Sequence, residues 1–466
     1  MTLSYADALA ELQGRARFGI RLGLGRTRAI LHAMGEPERR FRGALVGGTN
    51  GKGSVLALVA SALGEAGYRA GETPKPHLVT YRERLRIGGR PIDSATFARL
   101  VDEALPVVDR VARRHGDPTE FELLTAIAYR WFADEAVDLA VIEVGLGGRL
   151  DATHAWDGGV AAIVNVDLDH TAHLGPTVEA IAHEKAAIIM RGDRAVTGAA
   201  SPALEVIRRR ARRVGAPLVE VVPAPLLGLD RDGIVVDLPS LGATRIGLRG
   251  RHQAANVAVA DAVLDALGDA GIASVDAGAR RRGYASARWP GRLELVAAPG
   301  RAGPTDVLLD GAHNPAGAAA LATALDDLRP HLAGGDTAEP RPLTLVTAMM
   351  GDKDVAGVVA PLARAAALRD ARVVCTSLPE QRALAAEDLA AAWHAAAPDL
   401  AVSVEPGAEA AVERALGGAQ GPVVVAGSLY LVGAVRSMLV HDPELDDPGD
   451  PAVASAAASA AREWMS

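Results

Sequence analysis

The amino-acid sequence predicts an α/β protein: an N-terminal P-loop domain built on a parallel sheet, followed by a smaller, Rossmann-like C-terminal α/β domain. Three observations support this prediction. Short apolar runs alternate with helical patterns rich in Ala and Leu, which is typical of parallel α/β layers. A glycine-rich segment containing a lysine follows the first apolar run. The length of 466 residues exceeds the usual size of one hydrophobic core, so two domains are expected.

The predicted strands are short and apolar along their whole length. Because such strands lack a polar face, they fit a sheet that helices cover on both sides. A helical pattern, Ser54–Gly64, directly follows the glycine-rich segment. The predicted strands are Ala44–Val46, Leu139–Val144, Gly159–Val166, Val307–Leu309, Leu343–Thr347, Arg372–Thr376 and Pro422–Ala426.

The segment Arg288–Arg292 marks the predicted domain boundary, because Pro and Gly interrupt any helix there and a strand-like run begins after it. We therefore predict one domain at 1–290, a second at 291–440, and a tail at 441–466 that begins with Asp and Pro residues. Another stretch rich in Gly and Pro, Gly334–Pro342, is interpreted as a loop inside the second domain, although it also fits a boundary.

Composition and charge exclude several classes of protein. Hydrophobic residues make up 49% and charged residues 23%, which is globular composition, and the net charge of −8 gives no general attraction for nucleic acid or anionic membranes. Cys375 is the only cysteine, so no intrachain disulfide can form. The segment Met1–Gly14 does not resemble a signal peptide, and Pro422–Val435 is too short to span a bilayer. We therefore expect a cytoplasmic protein without nucleic-acid or membrane partners.

The glycine-rich segment Gly47–Ser54 lies between a strand and a helical pattern, which is the context that a phosphate-binding loop requires. Its glycines let backbone N–H groups converge on phosphate oxygens, Lys52 can reach the β- and γ-phosphates, and Ser54 would face a magnesium ion. Because Gly53 separates the lysine from the serine, the general pattern is not met letter for letter, and a purely structural turn is the alternative. The predicted nucleotide-binding residues here are Gly48, Thr49, Asn50, Gly51, Lys52, Gly53 and Ser54.

The form Gly-Thr-Asn-Gly-Lys-Gly-Ser resembles the phosphate loop of the folylpolyglutamate synthase and dihydrofolate synthase family, part of the Mur-type ligase superfamily. The resemblance implies ATP-dependent ligation of L-glutamate to a folate-type carboxylate, a tetrahydrofolate or dihydropteroate, through an acyl phosphate. It implies small-molecule partners (folate or dihydropteroate, L-glutamate and ATP), and we expect a monomer. Further blocks resemble that family in the same order: Pro76–Leu78, Thr119–Glu122, Glu143–Thr153, Asp169–Thr171, Glu184–Ala186, Asp310–Pro315 and Asp352–Asp354.

By this resemblance Glu143 and His170 are magnesium ligands, Ser54 lies near the nucleotide-bound ion, and Lys52, His170 and Lys185 are catalytic. Glu143 ends a predicted strand, where open α/β sheets bind ligands, and carboxylates are ligands that Mg²⁺ prefers. The lysine of the family that matches Lys185 is carbamylated, which turns a cation into a carboxylate able to help position magnesium. Taken alone, the residues leave a capping or hydrogen-bonding histidine at 170 and a solvated lysine at 185 as alternatives.

The same resemblance completes the ATP site with Asn256 from the first domain and Arg292, Asp310 and His313 from the second. Asp310 ends a predicted strand, where a carboxylate suits ribose hydroxyls. The alternative for this residue is an N-cap of the following helix. Residues of both domains around one nucleotide imply closure on binding.

The folate-contacting segments of the family correspond to Arg21–Arg26, Thr119–Glu122 and Leu150–Ala152. Phe121 would offer an aromatic face to the substrate, and a core phenylalanine is the alternative. The predicted substrate residues are Arg21, Leu22, Thr119, Phe121, Glu122, Leu150, Asp151 and Ala152.

Two positions depart from the family pattern. Lys75 precedes Pro76–Leu78 where the family commonly has a serine that contacts magnesium; a cation cannot ligate a metal, so the second of two expected magnesium sites is altered. Lys75 would instead direct its charge at the γ-phosphate, or extend into solvent as most lysines do. His154 replaces the asparagine usual after Asp-Ala-Thr. Two rival functions remain: a Mur-type ligase of another carboxylate, and a nucleotide-binding regulatory homologue without activity.

Overall fold

The chain folds into two compact units. The computed structural model describes residues 3–300, 303–333, 341–380 and 382–448. Among the described residues, the first unit comprises 3–224, 255–286 and 442–448, and the second comprises 225–254 and the described part of 287–441.

The first unit is built on a mostly parallel sheet. Its described strands are β1 (Gly43–Gly47), β2 (Ala70–Thr73), β3 (Arg86–Ile87), β4 (Arg90–Pro91), β5 (Leu139–Glu143), β6 (Gly159–Ile163), β7 (Arg194–Thr197) and β8 (Leu218–Glu220). They pair in the order β4-β3-β2-β5-β1-β6-β7-β8, and β3 and β4 add an antiparallel edge. β1 lies between β5 and β6, parallel to both, and every residue of β1 and β5 is buried. The loops that follow these three strands therefore meet at one edge of the sheet.

Helices flank this sheet and begin at recognisable sequence signals. The described helices are α1 (Tyr5–Gly14), α2 (Gly25–Ala33), α3 (Lys52–Glu65), α4 (Ser94–His115), α5 (Glu120–Asp134), α6 (Thr171–Leu174), α7 (Val178–Ala186), α8 (Ala203–Val214), α9 (Gln253–Asp269) and α10 (Ala277–Ser286). α3 follows Gly51, whose φ of +79° costs glycine little. α5 begins with a reciprocal capping box between Thr119 and Glu122.

An aromatic cluster fixes the segment after β5 against the sheet. The Phe41 ring packs against Tyr129, Phe132 and Trp156 at centroid distances of 5.9, 5.8 and 5.5 Å. Such pairs contribute about 1 kcal/mol each beyond their buried area. The Tyr129 hydroxyl donates to the Thr153 carbonyl oxygen at 2.8 Å, so this cluster also holds the chain just beyond Leu150–Ala152.

The second unit contains two described sheets. Its strands are β9 (Leu226–Asp230), β10 (Gly233–Leu238), β11 (Gly242–Ile246), β12 (Glu294–Gly300), β13 (Gly303–Asp310), β14 (Thr344–Thr347), β15 (Arg372–Cys375), β16 (Ala401–Val404) and β17 (Val423–Ala426). Its helices are α11 (Pro315–Leu328), α12 (Val355–Ala363), α13 (Ala386–Ala396), α14 (Ala408–Gly418) and α15 (Leu429–Leu439). The larger sheet has the order β12-β13-β17-β14-β15-β16 and is parallel from β13 onwards, whereas β9–β11 form an antiparallel sheet. The α/β prediction for both domains is therefore confirmed.

The division into units differs from the predicted boundaries. The chain enters the second unit at Ala287, close to the predicted position 291, but residues 225–254 also group with the second unit rather than the first. Two ion pairs hold this excursion there: Arg231 with Asp306 at 3.1 Å and Arg251 with Asp327 at 2.5 Å. Local hydrophobic patterns do not encode which unit a strand will join, so this excursion was not predicted from the sequence.

The predicted tail also begins within folded structure. Asp447 accepts hydrogen bonds from Tyr5 at 3.0 Å, Thr80 at 2.7 Å and Arg82 at 2.9 Å, which attaches residues 442–448 to the first unit. The rest of the tail, 449–466, and residues 334–340 of the predicted loop lie outside the described residues. Within the described ranges no helix combines the length and hydropathy that a membrane crossing requires.

Candidate nucleotide and metal site

The glycine-rich loop after β1 is held by the segment that follows β6. Thr49 N donates to the Asn165 carbonyl oxygen at 3.1 Å, and Asn50 N donates to Asn165 Oδ1 at 2.9 Å. The Thr49 hydroxyl and the backbone of Asp167 exchange two further hydrogen bonds, at 3.2 and 3.0 Å. These contacts fix the loop before any ligand binds, and such preorganisation lowers the free-energy cost of binding. The sequence prediction did not include Asn165 or Asp167, which lie outside the quoted motifs.

Asn256 packs directly against this loop. A Cβ atom placed on Gly51 would lie 2.3 Å from Asn256 Oδ1, so only glycine allows the approach. Asn256 is buried on the first-unit part of α9. The structure thus places this predicted nucleotide-binding residue beside the predicted loop.

Two lysine ammonium groups converge on one carbonyl oxygen of the loop. Lys52 Nζ donates to the carbonyl oxygens of Gly48 at 3.1 Å and Thr49 at 3.0 Å, while Lys185 Nζ donates to the Gly48 oxygen at 2.8 Å. Lys185 is 5% exposed, which excludes the alternative of a solvated lysine. Burial, followed by the positive charge of Lys52, lowers the pKa of Lys185 to about 7. The neutral amine of this side chain therefore forms at a much lower pH than that of an ordinary lysine.

Glu143 and Lys75 lie together at the end of β5. Lys75 N donates to Glu143 Oε2 at 3.0 Å, and Lys75 Nζ donates to the Glu143 carbonyl oxygen at 2.6 Å and to Thr73 Oγ1 at 3.1 Å. The ammonium also lies 5.3 Å from the centroid of the Phe121 ring. Burial lowers the pKa of Lys75 to about 8, against the raising effect of Asp151 and Glu143. The alternative of a solvated Lys75 is therefore wrong in this structure.

The predicted metal ligands come from three elements around the loop. Ser54 is buried in the first turn of α3, and Glu143 is buried at the end of β5, whose register places it opposite Val46 of β1. His170 precedes α6 with a φ of +50°, and its Nε2 lies 3.8 Å from Asp169 Oδ2. It is the N-cap residue of α6 but makes no side-chain cap hydrogen bond to that helix, so a capping side chain is wrong, while a hydrogen-bonding histidine remains the alternative.

This donor set fits magnesium, which typically takes one or two carboxylates and completes its shell with waters and substrate phosphates. A buried carboxylate and a hydroxyl beside a phosphate loop supply hard oxygen donors of that kind. Among the described residues no three His, Cys, Asp or Glu side chains gather around one point that could hold a metal.

In the second unit, Asp310 organises the turn after β13. Its carboxylate accepts hydrogen bonds from Leu293 N and Ala312 N, both at 2.9 Å, and burial raises its pKa. The N-cap of α11 is Asn314, so the alternative of Asp310 as that cap is wrong.

The other predicted residues of this unit lie close by along the chain. Arg292 Nη1 donates to the Gly291 carbonyl oxygen at 3.0 Å, and its positive charge lowers the pKa of Asp310. His313 Nδ1 lies 2.7 Å from the Gly311 carbonyl oxygen. His252, which the sequence prediction missed, also interacts electrostatically with Asp310, and burial lowers its pKa. No motif marks His252, since the proximity arises from the excursion of residues 225–254.

Half of the predicted substrate residues form the framework of the site. Glu122 accepts from Thr119 N at 2.8 Å and from Arg26 Nε at 2.9 Å, so its carboxylate is engaged by the fold. Asp151 accepts from Leu146 N at 2.7 Å and from Thr153 N at 3.0 Å. Thr119, Glu122, Asp151 and Ala152 are buried.

The remaining predicted substrate residues keep accessible surface. Arg21 and Leu22 are exposed, and Leu150 and Phe121 are half-buried. Gly23 N donates to the Leu150 carbonyl oxygen at 3.1 Å, which joins two of the predicted segments. Phe121 packs against Gly145, where a Cβ atom would lie 2.7 Å from its ring. Phe121 is therefore a partly exposed residue beside Gly145 rather than part of the fully buried core.

Comparison with known sequences gives consistent matches. A family model described as the C-terminal domain of dihydrofolate synthetase matches residues 294–438. The chain is 37% identical over 332 residues to the dihydrofolate synthase/folylpolyglutamate synthase of Bacillus subtilis, covering 69% of this chain and 76% of that protein. It is 34% identical over 460 residues to the protein of that name from Mycobacterium tuberculosis, covering 90% and 91%.

Solved structures are similar over nearly the whole chain. Folylpolyglutamate synthase of Mycobacterium tuberculosis, complexed with ADP and AMPPCP, has a TM-score of 0.82 at 32% identity and covers 94% of this chain and 100% of that one. Escherichia coli FolC in complex with DHPP and ADP has a TM-score of 0.77 at 29% identity, covering 93% and 97%. The bifunctional folylpolyglutamate synthase/dihydrofolate synthase of Yersinia pestis, complexed with AMPPNP and a Mn ion, has a TM-score of 0.76 at 29% identity, covering 94% and 98%.

Proposed function

The chain belongs to the dihydrofolate synthase/folylpolyglutamate synthase family, and from this premise we propose how its own residues join L-glutamate to a folate-type carboxylate. It is an ATP-dependent acid–amino-acid ligase that uses a divalent metal ion. The observation that carries the proposal is the meeting of Lys52 and Lys185 at the Gly48 carbonyl oxygen, beside the strand that ends in Glu143.

The proposed reaction has two steps. A carboxylate oxygen of the folate substrate attacks the γ-phosphorus, the bond to the ADP oxygen breaks, and an acyl phosphate forms. The amine nitrogen of L-glutamate then attacks the acyl carbon, inorganic phosphate leaves, and the nitrogen loses a proton to give the amide. Because negative charge spreads over the transferred phosphoryl group, cations and backbone N–H groups around it stabilise the first transition state. Lys52 and the loop Gly48–Gly53 supply these groups.

We assign the metal ion to Glu143, Ser54 and His170. When bound there, the ion would offset negative charge on the phosphates of ATP. Glu143 offers a buried carboxylate that is already fixed by Lys75 N, and Ser54 offers a hydroxyl at the start of α3. The His170 side chain is exposed and lies next to Asp169. There it could orient a water bound to the ion or bind the ion directly.

We propose that Lys185 is carbamylated. Its neutral amine nitrogen would attack the carbon of CO₂ and lose a proton, giving an N-linked carbamate. The lowered pKa makes this amine available near pH 7, and the product would replace repulsion between Lys185 and Lys52 with attraction. The resulting carboxylate would lie beside the Gly48 backbone, where it can position the metal ion and its waters.

Lys75 is proposed to keep its charge and to act in place of a second magnesium ion. Its ammonium is held at the end of β5 by Glu143 O and Thr73 Oγ1 and retains a pKa of about 8. A fixed cation at this position would offset charge on the transferred phosphoryl group. We accordingly propose one bound magnesium ion per active site rather than two.

The remaining assignments concern the folate-type acid and the nucleotide. We propose that Arg21, Leu22, Phe121 and Leu150 contact the pterin-bearing substrate, while Thr119, Glu122, Asp151 and Ala152 hold these walls in place. We further propose Asn256, Arg292, Asp310 and His313 as nucleotide-binding residues, by resemblance to the family. We also propose that the enzyme acts as a monomer.

The test is ligation of labelled L-glutamate to dihydropteroate and to tetrahydrofolate, side by side, with ATP and magnesium. We expect ATP-dependent incorporation with at least one acceptor, and the ratio of the two rates assigns the main activity. A matched assay with a peptidoglycan precursor acceptor addresses the rival Mur-type function. Incorporation only with that acceptor, or no ATP-dependent incorporation with any, would refute the proposal.

A further inference from the structure

A carboxylate of the C-terminal segment 442–448 binds three side chains of the first unit. Asp447 Oδ1 accepts hydrogen bonds from Thr80 Oγ1 at 2.7 Å and from Arg82 Nε at 2.9 Å, and its Oδ2 accepts from the Tyr5 hydroxyl at 3.0 Å. The segment belongs to the first unit, although it follows the last helix of the second. Neither Asp447 nor any of these three partners is among the proposed nucleotide, metal or substrate residues, so the proposed mechanism does not account for the contact.

Arg82 makes this contact strong. It is 5% exposed and carries a full positive charge. Its Nη1 donates to the Ile92 carbonyl oxygen at 3.1 Å and its Nη2 to the Asp446 carbonyl oxygen at 3.0 Å, while Asp447 supplies the carboxylate that pairs with it. Since a buried charge that loses its partner is strongly destabilised, the ion pair holds the segment in one place.

Thr80 links the ion pair to a tight turn. It is the N-cap of a 3₁₀ helix, Tyr81–Arg84, where its hydroxyl accepts from Arg82 N at 3.3 Å and the Glu83 carboxylate accepts from Thr80 N at 2.9 Å. Because the Thr80 hydroxyl donates its one hydrogen to Asp447, its lone pairs are left for the turn. Asp447 therefore orients the hydroxyl that caps this turn.

The turn in its own right holds His77. Arg84 Nε donates to His77 Nδ1 at 2.8 Å, and the ring centroids of Tyr81 and His77 lie 4.3 Å apart. Burial, followed by the charge of Arg84, lowers the pKa of His77 to about 3, so the ring is neutral and accepts this hydrogen bond at physiological pH. His77 lies two residues after Lys75, whose backbone N and Nζ both contact Glu143. The turn thus fixes the chain just beyond Lys75.

We propose that Asp447 is a positioning residue for the ligation reaction: it fixes the capped turn Tyr81–Arg84, and the turn, through His77, holds Lys75 at the end of β5. Asp447 acts through these residues and not on the reacting atoms. The inference rests on the proposed function of Lys75 and deepens it, because it names what keeps that cation in place. The end of the chain, beyond the second unit, is accordingly part of the frame of the active site.

The first experiment is hydrogen–deuterium exchange of the full-length protein, read by mass spectrometry. Asp447→Asn keeps the size of the side chain but removes the charge that pairs with Arg82. We expect amides in residues 78–84 to exchange roughly tenfold faster or more, because the turn opens locally, while peptides of β1 and β5 exchange as in wild type. Glu444→Gln is the matched control: Glu444 lies on the same segment, is exposed, and pairs with Arg90 at 3.8 Å, so exchange should stay unchanged.

A second variant keeps the proposal testable if Asp447→Asn fails to fold. Thr80→Val retains the ion pair between Arg82 and Asp447 but removes the hydroxyl that caps the turn. It should raise exchange in the same residues. Thermal unfolding of each variant checks the fold.

The second experiment measures ligation of labelled L-glutamate with Asp447→Asn in two backgrounds, wild type and Lys75→Ala. In the wild-type background kcat/KM should fall roughly tenfold or more, as expected for a misplaced catalytic group. In the Lys75→Ala background the same substitution should change kcat/KM little, because its effect passes through Lys75. A merely structural role would instead lower kcat/KM by the same factor in both backgrounds.

Two results would overturn the proposal. One is unchanged exchange of residues 78–84 in both Asp447→Asn and Thr80→Val; the other is a kcat/KM that is unchanged, or lowered equally in both backgrounds. Failure of the proposed function is distinguished from these results, since wild type would then incorporate no glutamate with any acceptor. The exchange measurement does not depend on ligation and still decides whether Asp447 fixes the turn.

Discussion

The surroundings of Lys185 and Lys75 form an instructive pair, because both lysines lie at the same edge of the first sheet. Lys185 Nζ donates to the Gly48 carbonyl oxygen at 2.8 Å, and Lys75 Nζ donates to the Glu143 carbonyl oxygen at 2.6 Å. In both cases burial is the largest influence and lowers the pKa. Lys185 is buried and Lys75 is half-buried, so burial acts on both side chains in the same direction.

Neighbouring charge separates them. For Lys185 the largest charge effect is that of Lys52, which lowers the pKa further, to about 7, although Asp169 and Asp151 act to raise it. For Lys75 the largest charge effects are those of Asp151 and Glu143, which raise the pKa, although Arg84 and Lys52 act to lower it, and it remains at about 8. A lysine beside another cation is suited to become a carbamate, and a lysine beside carboxylates is suited to remain a cation. The comparison teaches that the sign of the strongest neighbouring charge, together with burial, sets the chemistry of a lysine amine at this edge of the sheet.

Lysine is rare in this chain, which makes the comparison easy to test. Four lysines, Lys52, Lys75, Lys185 and Lys353, stand among 49 Lys and Arg residues. Three of them surround the nucleotide loop. Arginine cannot lose its proton near neutral pH, so it could not replace an amine that must react.

The largest effect on activity should come from removing Lys52, whose charge acts on both Lys185 and Lys75. Lys52→Ala is expected to lower kcat at least a hundredfold, as for loss of one preorganised transition-state donor, while the fold is kept because the side chain is not part of the core. Steady-state ligation and thermal unfolding measure both quantities. Arg209→Ala is the matched control for loss of one cation, and near-normal turnover by folded Lys52→Ala would contradict its role.

Lys185→Ala should lose most activity, because the proposed carbamate disappears. A short carboxylic acid such as acetate is expected to restore part of it by occupying the vacated space. Lys185→Arg is the control: it fills the space, cannot form a carbamate, and should not respond to acetate. Full activity of Lys185→Arg would show that charge alone suffices.

Glu143→Gln and His170→Ala should raise the magnesium concentration needed for half-maximal activity, by roughly tenfold or more for Glu143. Both should also lower kcat. Magnesium titrations of the two variants provide the measurement, and curves that superimpose on wild type would remove both residues from the metal site.

Lys75→Ser should increase the dependence on magnesium, because a fixed cation is replaced by a hydroxyl that can itself contact a metal ion. Lys75→Ala should lower kcat/KM without increasing the dependence on magnesium. The magnesium dependence of wild type and the two variants decides the point. Three superimposable curves would rule out electrostatic substitution by Lys75.

The smallest expected effect is on stability. Between pH 7 and 10.5 the unfolded chain binds more protons at Lys185 than the folded chain does, so the free energy of unfolding contributed by this residue rises with pH. From pH 7 to 8.5 in carbonate-free buffer, the free energy of unfolding of wild type should rise with pH by roughly 1 kcal/mol per pH unit more than that of Lys185→Met. For Lys75→Met the corresponding difference in slope from wild type should begin only at about pH 8. Equal slopes for wild type and both variants would contradict the assigned pKa values.

Much of this architecture is predictable from sequence, because continuous apolar runs and a glycine-rich loop impose local geometry. The run Ala44–Val46 became β1, and Leu139–Val144 became β5. By contrast, β2 was missed: it spans four residues and includes Glu72, so it has no apolar run. The placement of residues 225–254 depends on long-range ion pairs, which leave no local pattern.

The candidate site was predictable where a single sequence motif contains the functional residues. It was less predictable where the chemistry depends on tertiary contacts. Thr119–Glu122 matches the capping-box pattern, so the sequence already contained the signal that these side chains cap a helix. The depressed pKa of Lys185 depends on Lys52 and burial, and neither effect is visible in the segment Glu184–Ala186.

The most direct test of the difference between the two lysines is a ¹³C NMR spectrum of the full-length protein in ¹³C-bicarbonate. The account predicts one slowly exchanging carbamate resonance that is lost in Lys185→Arg and retained in Lys75→Arg. A wild-type spectrum without a carbamate resonance, or a resonance that persists in Lys185→Arg, would contradict it.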